Sequence, residues 1–187
     1  LITSLIIKEL YSTNNFSFLF FYERRIRRLI PTLLIVILAS IPISWFYLLP
    51  SDLEDFSKSI LFTLAFVSNY FFHYSGLDYF DIDGLYKPLL HTWSLSVEIQ
   101  FYAIFPFIIF LTIKYLNEKY ILVFGILSLL SIILATLITW NPYWNLISFY
   151  MMPNRLFELL AGATVFLIER NYNTLISLQN LKINYHL

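Results

Sequence analysis

The chain has 187 residues, of which 59% are hydrophobic, 20% aromatic and only 13% charged. A soluble domain usually carries about 25% charged residues, so this composition excludes an ordinary soluble protein and indicates an integral membrane protein. Cysteine is absent and the formal net charge is zero. Disulfides and thiolate sites are therefore excluded within this chain, and we expect no nucleic acid partner, no metal and no bound cofactor.

The sequence predicts an all-α fold, a polytopic bundle of transmembrane helices. Apolar runs of about 20 residues can cross a hydrocarbon core of about 30 Å. We expect the run near 57–73, which is short, to be tilted, broken or re-entrant. The predicted domain, 1–168, is followed by a polar end, 169–187. The predicted spans lie near residues 29–49, 57–73, 95–113, 120–139 and 146–168.

The first four residues, Leu1 to Ser4, form part of an apolar phrase with no initiator methionine and no charged n-region. They do not resemble a signal peptide, since no small-residue cleavage site follows. The phrase is typical of the end of a span. We therefore expect the sequence to be a piece of a longer protein.

Four arginines precede the first predicted span, and we name them the arginine cluster: Arg24, Arg25, Arg27 and Arg28. The positive-inside rule places this end in the cytoplasm and the acidic segment 50–55 outside. The cluster either anchors topology against anionic lipid or binds the phosphates of an acyl-CoA or a lipid-linked donor, because guanidinium groups bind phosphate bidentately.

The start of the third span carries His91, Trp93, Ser94 and Glu98. Residues three or four apart share a helical face, so His91, Ser94 and Glu98 are expected to line one stripe with Tyr102. Such a stripe can orient a hydroxyl nucleophile and move its proton during acyl transfer. In the alternative interpretation, His91 and Trp93 are interfacial anchors and Glu98 pairs with an arginine elsewhere, since an unpaired carboxylate in a span is costly.

The last predicted span contains Arg155 and Glu158, three positions apart. These two residues either neutralise each other or, alternatively, Arg155 pairs with Glu98 on a neighbouring helix and closes a polar cavity. Asn69, in apolar surroundings, is expected to hydrogen-bond into that cavity.

Five segments, in their order and spacing over most of residues 1–168, resemble the membrane acyltransferase-3 family. The most specific is His-Thr-Trp-Ser-Leu-Ser-Val-Glu, which ends at Glu98. The segments are residues 22–31, 68–69, 78–80, 87–98 and 152–162.

The resemblance implies an O-acyltransferase of the bacterial cytoplasmic membrane. Such an enzyme transfers an acyl group, expected to be acetyl, from acetyl-CoA as co-substrate to a hydroxyl of a cell-surface glycan such as lipopolysaccharide O-antigen or peptidoglycan. Membrane lipid, acyl-CoA and the acceptor glycan are the expected partners. A transporter for a lipid-linked sugar or an ion-coupled substrate remains the alternative, with Glu98 and Arg155 as its buried charges.

The resemblance also implies roles for individual residues. The family's first span carries a histidine thought essential for acyl transfer, which would lie upstream of Leu1, and its later spans would follow residue 187. The resemblance therefore implies a fragment that is truncated at both ends and inactive alone. Ile99 stands where the family usually has a second carboxylate, so Glu98 is the only acid on this element. The arginine cluster would contact the donor, and the cavity walls would be formed or braced by His91, Trp93, Ser94, Glu98, Arg155 and Glu158.

Overall fold

Helices make up most of the described part of the chain. The computed structural model describes residues 2–13, 16–75, 84, 86–116, 119–140 and 145–184. These ranges contain no strand, and the predicted all-α fold is confirmed. The helices are α1 (Ile2–Thr13), α2 (Phe18–Tyr47), α3 (Pro50–Leu64), α4 (Ser68–Tyr74), α5 (Thr92–Tyr115), α6 (Tyr120–Thr139), α7 (Asn145–Tyr150) and α8 (Met152–Asn184).

Within the described ranges, three helical stretches are long and apolar enough to cross a membrane: Phe18–Tyr47, Thr92–Thr112 and Tyr120–Thr139. They coincide with the predicted spans near 29–49, 95–113 and 120–139. The segment 146–168 is divided, because α7 ends at Tyr150 and α8 begins at Met152.

α2 begins earlier than the sequence analysis expected, at Phe18 instead of residue 29. Ser17 caps it, since its hydroxyl accepts a hydrogen bond from the backbone N–H of Phe20 at 3.5 Å, and arginine is a good helix former. The arginine cluster therefore lies on the helix itself, and Pro31 lies in the helix interior. The cluster and Tyr47 are separated by about 30 Å of helix, so they lie on opposite faces of the molecule.

The segment 57–73 is not one helix, because α3 ends at Leu64 and α4 begins at Ser68. Between them Phe66 has a φ of 55°, a left-handed conformation that bulky residues rarely adopt. The N–H of Val67 donates to the carbonyl of Phe62 at 2.9 Å. This bond closes the end of α3 and directs the chain away from its axis.

The predicted run is therefore broken. The break turns α3 and α4 into a hairpin, which comprises residues 50–75 and which we name the re-entrant hairpin. Its tip lies deep against α5, where the carbonyl of Phe66 accepts a hydrogen bond from Gln100 at 3.2 Å. At its open end, Ser75 lines the same cavity as Asp55 and Tyr47. Both ends of the hairpin therefore lie on the face of Tyr47.

Four hydroxyl groups hold the hairpin against α5, and we name Thr63, Ser68, Thr92 and Ser96 the hydroxyl cluster. The Oγ of Ser68 lies 2.8 Å from that of Ser96 and 3.0 Å from the Oγ1 of Thr92. Thr92 Oγ1 also lies 3.0 Å from Thr63 Oγ1. The backbone N–H of Ser68, left open by the helix break, donates to Ser96 at 3.2 Å.

Asn69 binds the hairpin to α7 and adds another contact with α5. Its side chain is fully buried, and its Nδ2 donates to the carbonyl of Tyr150 in α7 at 3.1 Å. Its Oδ1 accepts a hydrogen bond from Gln100 in α5 at 2.9 Å. Asn69 does form hydrogen bonds in the interior, but its partners are these two groups.

α2 and α5 run antiparallel. The Tyr22 hydroxyl donates to the carbonyl of Ala103 at 2.8 Å, and the ring of Phe18 stacks on that of Phe107 with centroids 4.5 Å apart. Earlier residues of α2 thus meet later residues of α5. His91, which precedes α5, therefore lies level with the middle of α2, between the arginine cluster and Tyr47.

α6 and α8 are joined by a polar contact between apolar helices. The Ser131 hydroxyl donates to the carbonyl of Pro153 at 2.7 Å and accepts a hydrogen bond from the N–H of Phe157 at 3.2 Å. Such bonds between helices stabilise bundles in lipid, where apolar contact alone gives little net drive.

Asn69→Ala should lower the free energy of unfolding by about 1–3 kcal/mol, because it removes a buried donor to the Tyr150 carbonyl and one of the two acceptors of the Gln100 amide. Denaturant unfolding of the protein in detergent micelles measures this. Thr136→Ala is the control, since the exposed Thr136 hydroxyl donates only to its own helix, to Ile133 at 2.9 Å. That change should stay within about 0.5 kcal/mol, and an equal effect of the two substitutions would contradict the role of Asn69.

Candidate active site

Arg25 lies between two aromatic rings at the contact of α2 with α5. Its Cζ is 4.6 Å from the ring centroid of Phe21 and 4.4 Å from that of Tyr102. A guanidinium group stacks well on such rings, and the attraction grows as water is excluded. Arg25 is half-buried, whereas the other members of the arginine cluster are exposed.

Glu98 joins this arrangement through Tyr102, one turn further along α5. The Tyr102 hydroxyl donates to Oε2 of Glu98 at 3.2 Å. Arg25 and Glu98 are thus linked through the phenol and do not form a direct ion pair. We name Arg25, Glu98 and Tyr102 the site triad; it combines a cation, a proton-bearing hydroxyl and a carboxylate.

A cavity of 180 Å³ adjoins the site triad, and we name it the inner cavity. Arg25, Tyr22 and Phe66 contribute to its lining. The Nε of Arg25 is buried and has no hydrogen-bond acceptor in the described part of the chain. Buried donors are normally paired, so this N–H is an unsatisfied polar group beside the inner cavity.

Two of the three exposed members of the arginine cluster pair with acidic neighbours. Arg24 pairs with Glu9 of α1 at 3.0 Å, and Arg27 pairs with Glu23 at 2.8 Å. Pairs of this kind in water contribute little stability. Because these ion pairs are weak, the guanidinium groups near the site triad can exchange a carboxylate partner for a phosphate.

Arg155 lies in a second group of residues. Its Nη1 is 3.2 Å from Oε2 of Glu158, and its Nε donates to the carbonyl of Phe149 at 3.0 Å. Its Cζ is 5.1 Å from the ring centroid of Trp93. The alternative in which Arg155 pairs with Glu98 is therefore wrong, because Glu158 satisfies Arg155 locally.

Trp93 is buried, not an interfacial anchor. Its ring lies 4.7 Å from that of Phe149 and 5.3 Å from that of Tyr150, centroid to centroid. Trp93 and Glu98 are five positions apart, which turns them about 140° around α5. The two groups therefore occupy different sides of one helix.

His91 and Ser94 lie at the exposed start of α5. The Ser94 hydroxyl donates to the backbone carbonyl of His91 at 3.0 Å, so its proton is directed at the main chain. His91 and Ser94 lie on the same side of the helix as Glu98 and Tyr102. Arg25 stacks on Tyr102, at the far end of this stripe from His91 and Ser94. The segment 78–80, which contributed to the family resemblance, lies outside the described residues.

Three contributors to the site were not singled out in the sequence. Phe21 and Tyr22 precede Arg25 by four and three positions and so share its helical face. This spacing is visible in the sequence and could have identified both residues. Gln100 lies two positions beyond the motif at residues 87–98, and its contacts with Phe66 and Asn69 depend on the hairpin.

Comparison with known proteins accounts for the motifs around the site triad. The profile of the acyltransferase-3 family, described as an acyltransferase domain, matches residues 2–181. The chain belongs to the acyltransferase-3 family. Its motifs at the arginine cluster and at residues 87–98 are therefore family motifs. No solved structure matches the chain.

Several relatives of the chain within this family carry names. An uncharacterized protein of Haemophilus influenzae is 37% identical over 170 residues, which cover 87% of this chain and 68% of the relative. The O-acetyltransferase OatA of Staphylococcus aureus is 33% identical over 163 residues, 87% of this chain and 27% of OatA. The peptidoglycan O-acetyltransferase OatA of Listeria monocytogenes is 31% identical over 167 residues, 88% of this chain and 27% of that protein. The chain thus spans about a quarter of the OatA proteins.

A double-mutant cycle with Arg25→Met and Tyr102→Leu should give a coupling energy of about 0.5–2 kcal/mol, the usual range for a cation over an aromatic ring. Unfolding in detergent measures the coupling. Arg27 is the matched control, since it is exposed and pairs with Glu23. A cycle of Arg27→Met with Tyr102→Leu should give a coupling near zero. Similar values from the two cycles would show that the stack is not specific.

Proposed function

We propose that this protein is an integral O-acyltransferase of the bacterial cytoplasmic membrane that transfers acetyl from acetyl-CoA to a hydroxyl of a cell-surface glycan. Its membership of the acyltransferase-3 family supports acyl transfer. The names of its relatives support O-acetylation, and the Listeria monocytogenes relative favours peptidoglycan over lipopolysaccharide as acceptor.

The site triad is the observation that carries the proposal. Acyl transfer from a thioester needs a group that accepts the proton of the attacking hydroxyl and a cation that stabilises the oxyanion. Glu98 supplies the carboxylate, positioned by its hydrogen bond from Tyr102. Arg25 supplies the cation, with one N–H unused by the described residues.

The reaction balances with these groups. The acceptor oxygen forms a bond to the acyl carbon while the carbon–sulfur bond breaks. The proton of the hydroxyl passes to Glu98 and then to the departing thiolate, so the products are an ester and a free thiol. Arg25 offsets the negative charge that develops on the acyl oxygen.

The size of the inner cavity limits what it can hold. Sites that enclose a whole drug-sized ligand usually measure about 300–1,000 Å³, and this cavity measures 180 Å³. It suits the acyl end of a donor, with the nucleotide end outside. The exposed members of the arginine cluster then lie where the phosphates would be, since guanidinium groups bind phosphate bidentately.

Glu98→Gln should lower the rate of transfer about 100-fold or more, the usual contribution of a positioned general base. Tyr102→Phe keeps the ring under Arg25 but removes the hydrogen bond to Glu98, so its loss should be smaller. The measurement uses membrane vesicles that contain the full protein, labelled acetyl-CoA and isolated cell-wall glycan, and it counts alkali-labile label on the glycan.

Glu54→Gln is the control for this assay, because Glu54 is exposed on α3 and pairs only with Lys58 at 2.7 Å. It should transfer acetyl at the wild-type rate. Normal transfer by Glu98→Gln would remove Glu98 from the mechanism. Flux of a lipid-linked sugar without acetyl-CoA, and without labelled glycan, would identify a transporter and overturn the proposed function.

A further inference from the structure

A second and larger cavity opens on the face of Tyr47, away from the arginine cluster. It measures 680 Å³, and we name it the outer cavity. The ends of α2 and of the re-entrant hairpin form it together with the chain that leads into α5. The lining residues that matter here are Tyr47, Asp52, Asp55, Ser75, Tyr86 and Lys87.

Lys87 organises the charges of the outer cavity. Its Nζ lies 2.7 Å from Oδ2 of Asp55 and 3.5 Å from Oδ1 of Asp52. The lysine side chain is only 11% exposed, whereas those of Asp55 and Asp52 are 43% and 26% exposed. The cation is thus covered by the two carboxylates, which keep oxygen atoms open toward the cavity.

This charge pattern selects among ligands. Two carboxylates and one lysine leave one net negative charge, which disfavours phosphates and other anions. Carboxylate oxygens accept hydrogen bonds and donate none. The outer cavity therefore suits a ligand with several O–H or N–H donors and no negative charge of its own.

Tyr47 and Tyr86 add aromatic surface to the same cavity, and both rings are exposed. A phenol ring has an apolar face and a polar tip, so it can lie against the C–H face of a ring while its hydroxyl bonds to the edge. Sugars combine such C–H faces with a rim of hydroxyl and amide donors. Aromatic rings beside ordered carboxylates are therefore complementary to a carbohydrate.

From this lining we propose that the outer cavity is a binding site for an uncharged sugar unit of a glycan, which under the proposed function is a unit of the acceptor other than the one that reacts at the site triad. Asp52 and Asp55 would accept hydrogen bonds from its hydroxyl or amide groups, and Tyr86 would stack on its ring. The volume is within the usual range for small-ligand sites, about 300–1,000 Å³. The positive-inside rule places the arginine cluster in the cytoplasm, which puts this cavity on the outer side, where a cell-wall glycan lies.

Binding of soluble N-acetylglucosamine oligomers to the full protein in detergent, by saturation-transfer NMR and equilibrium dialysis, tests the proposal without any catalysis. Tyr86→Ala and Asp52→Asn should each weaken binding about tenfold, as expected for the loss of one ring contact or one hydrogen bond to a charged group. Neither substitution touches the closer Lys87–Asp55 pair, and unchanged melting temperatures would show that the variants fold. Glu54→Gln, an exposed carboxylate on the same helix, should bind like the wild type.

The outcomes separate this site from the proposed function. Oligomer binding that the two substitutions weaken supports the sugar site even if no acetyl transfer is found, in which case the proposed function alone fails. Acetyl transfer with an unchanged KM for the glycan in Tyr86→Ala and Asp52→Asn overturns the sugar site and leaves the proposed function standing. A wild-type protein that binds no oligomer, or one that binds phosphorylated sugars more tightly, also overturns the site.

Discussion

The structure depends on satisfying the backbone polar groups at the break between α3 and α4. Lipid offers no hydrogen bonds, so irregular backbone is tolerated at membrane depth only where protein groups or enclosed water pair with it. Here the partners are side chains of α5: Ser96 accepts from the backbone of Ser68, and Gln100 donates to the carbonyl of Phe66. Without these contacts the re-entrant hairpin would expose unpaired groups, and both cavities would lose a wall.

α5 can serve several neighbours because its side chains project in distinct stripes. Thr92, Ser96 and Gln100 follow one another at four-residue spacing and face the hairpin. Glu98 and Tyr102, also four apart, face α2. Residues at this spacing lie above one another on a helix. The single helix α5 therefore both holds the hairpin and positions the site triad. Packing and chemistry are therefore coupled in this helix.

Contacts within one helix were predictable from the sequence, and contacts between helices were not. The spacing of Glu98 and Tyr102, like that of Arg155 and Glu158, is enough to bring each pair together. The stack of Arg25 on Tyr102 joins two helices that are far apart in the chain, and its register depends on the packing of Phe18 and Tyr22 against α5. Long apolar runs indicated where helices lie. The composition of an apolar run does not distinguish a continuous helix from one that breaks and turns back.

The re-entrant hairpin brings the inner and outer cavities close together. Phe66 lines the inner cavity, and Asp55, on the same hairpin, lines the outer one. Their separation along α3 corresponds to about 16 Å of helix, roughly half of a hydrocarbon core of about 30 Å. The two cavities thus lie closer together than the two faces of a hydrocarbon core. Phe66 lies on the side of the inner cavity that the hairpin forms, so a group held at Arg25 has less than a full bilayer to cross to reach the outer cavity.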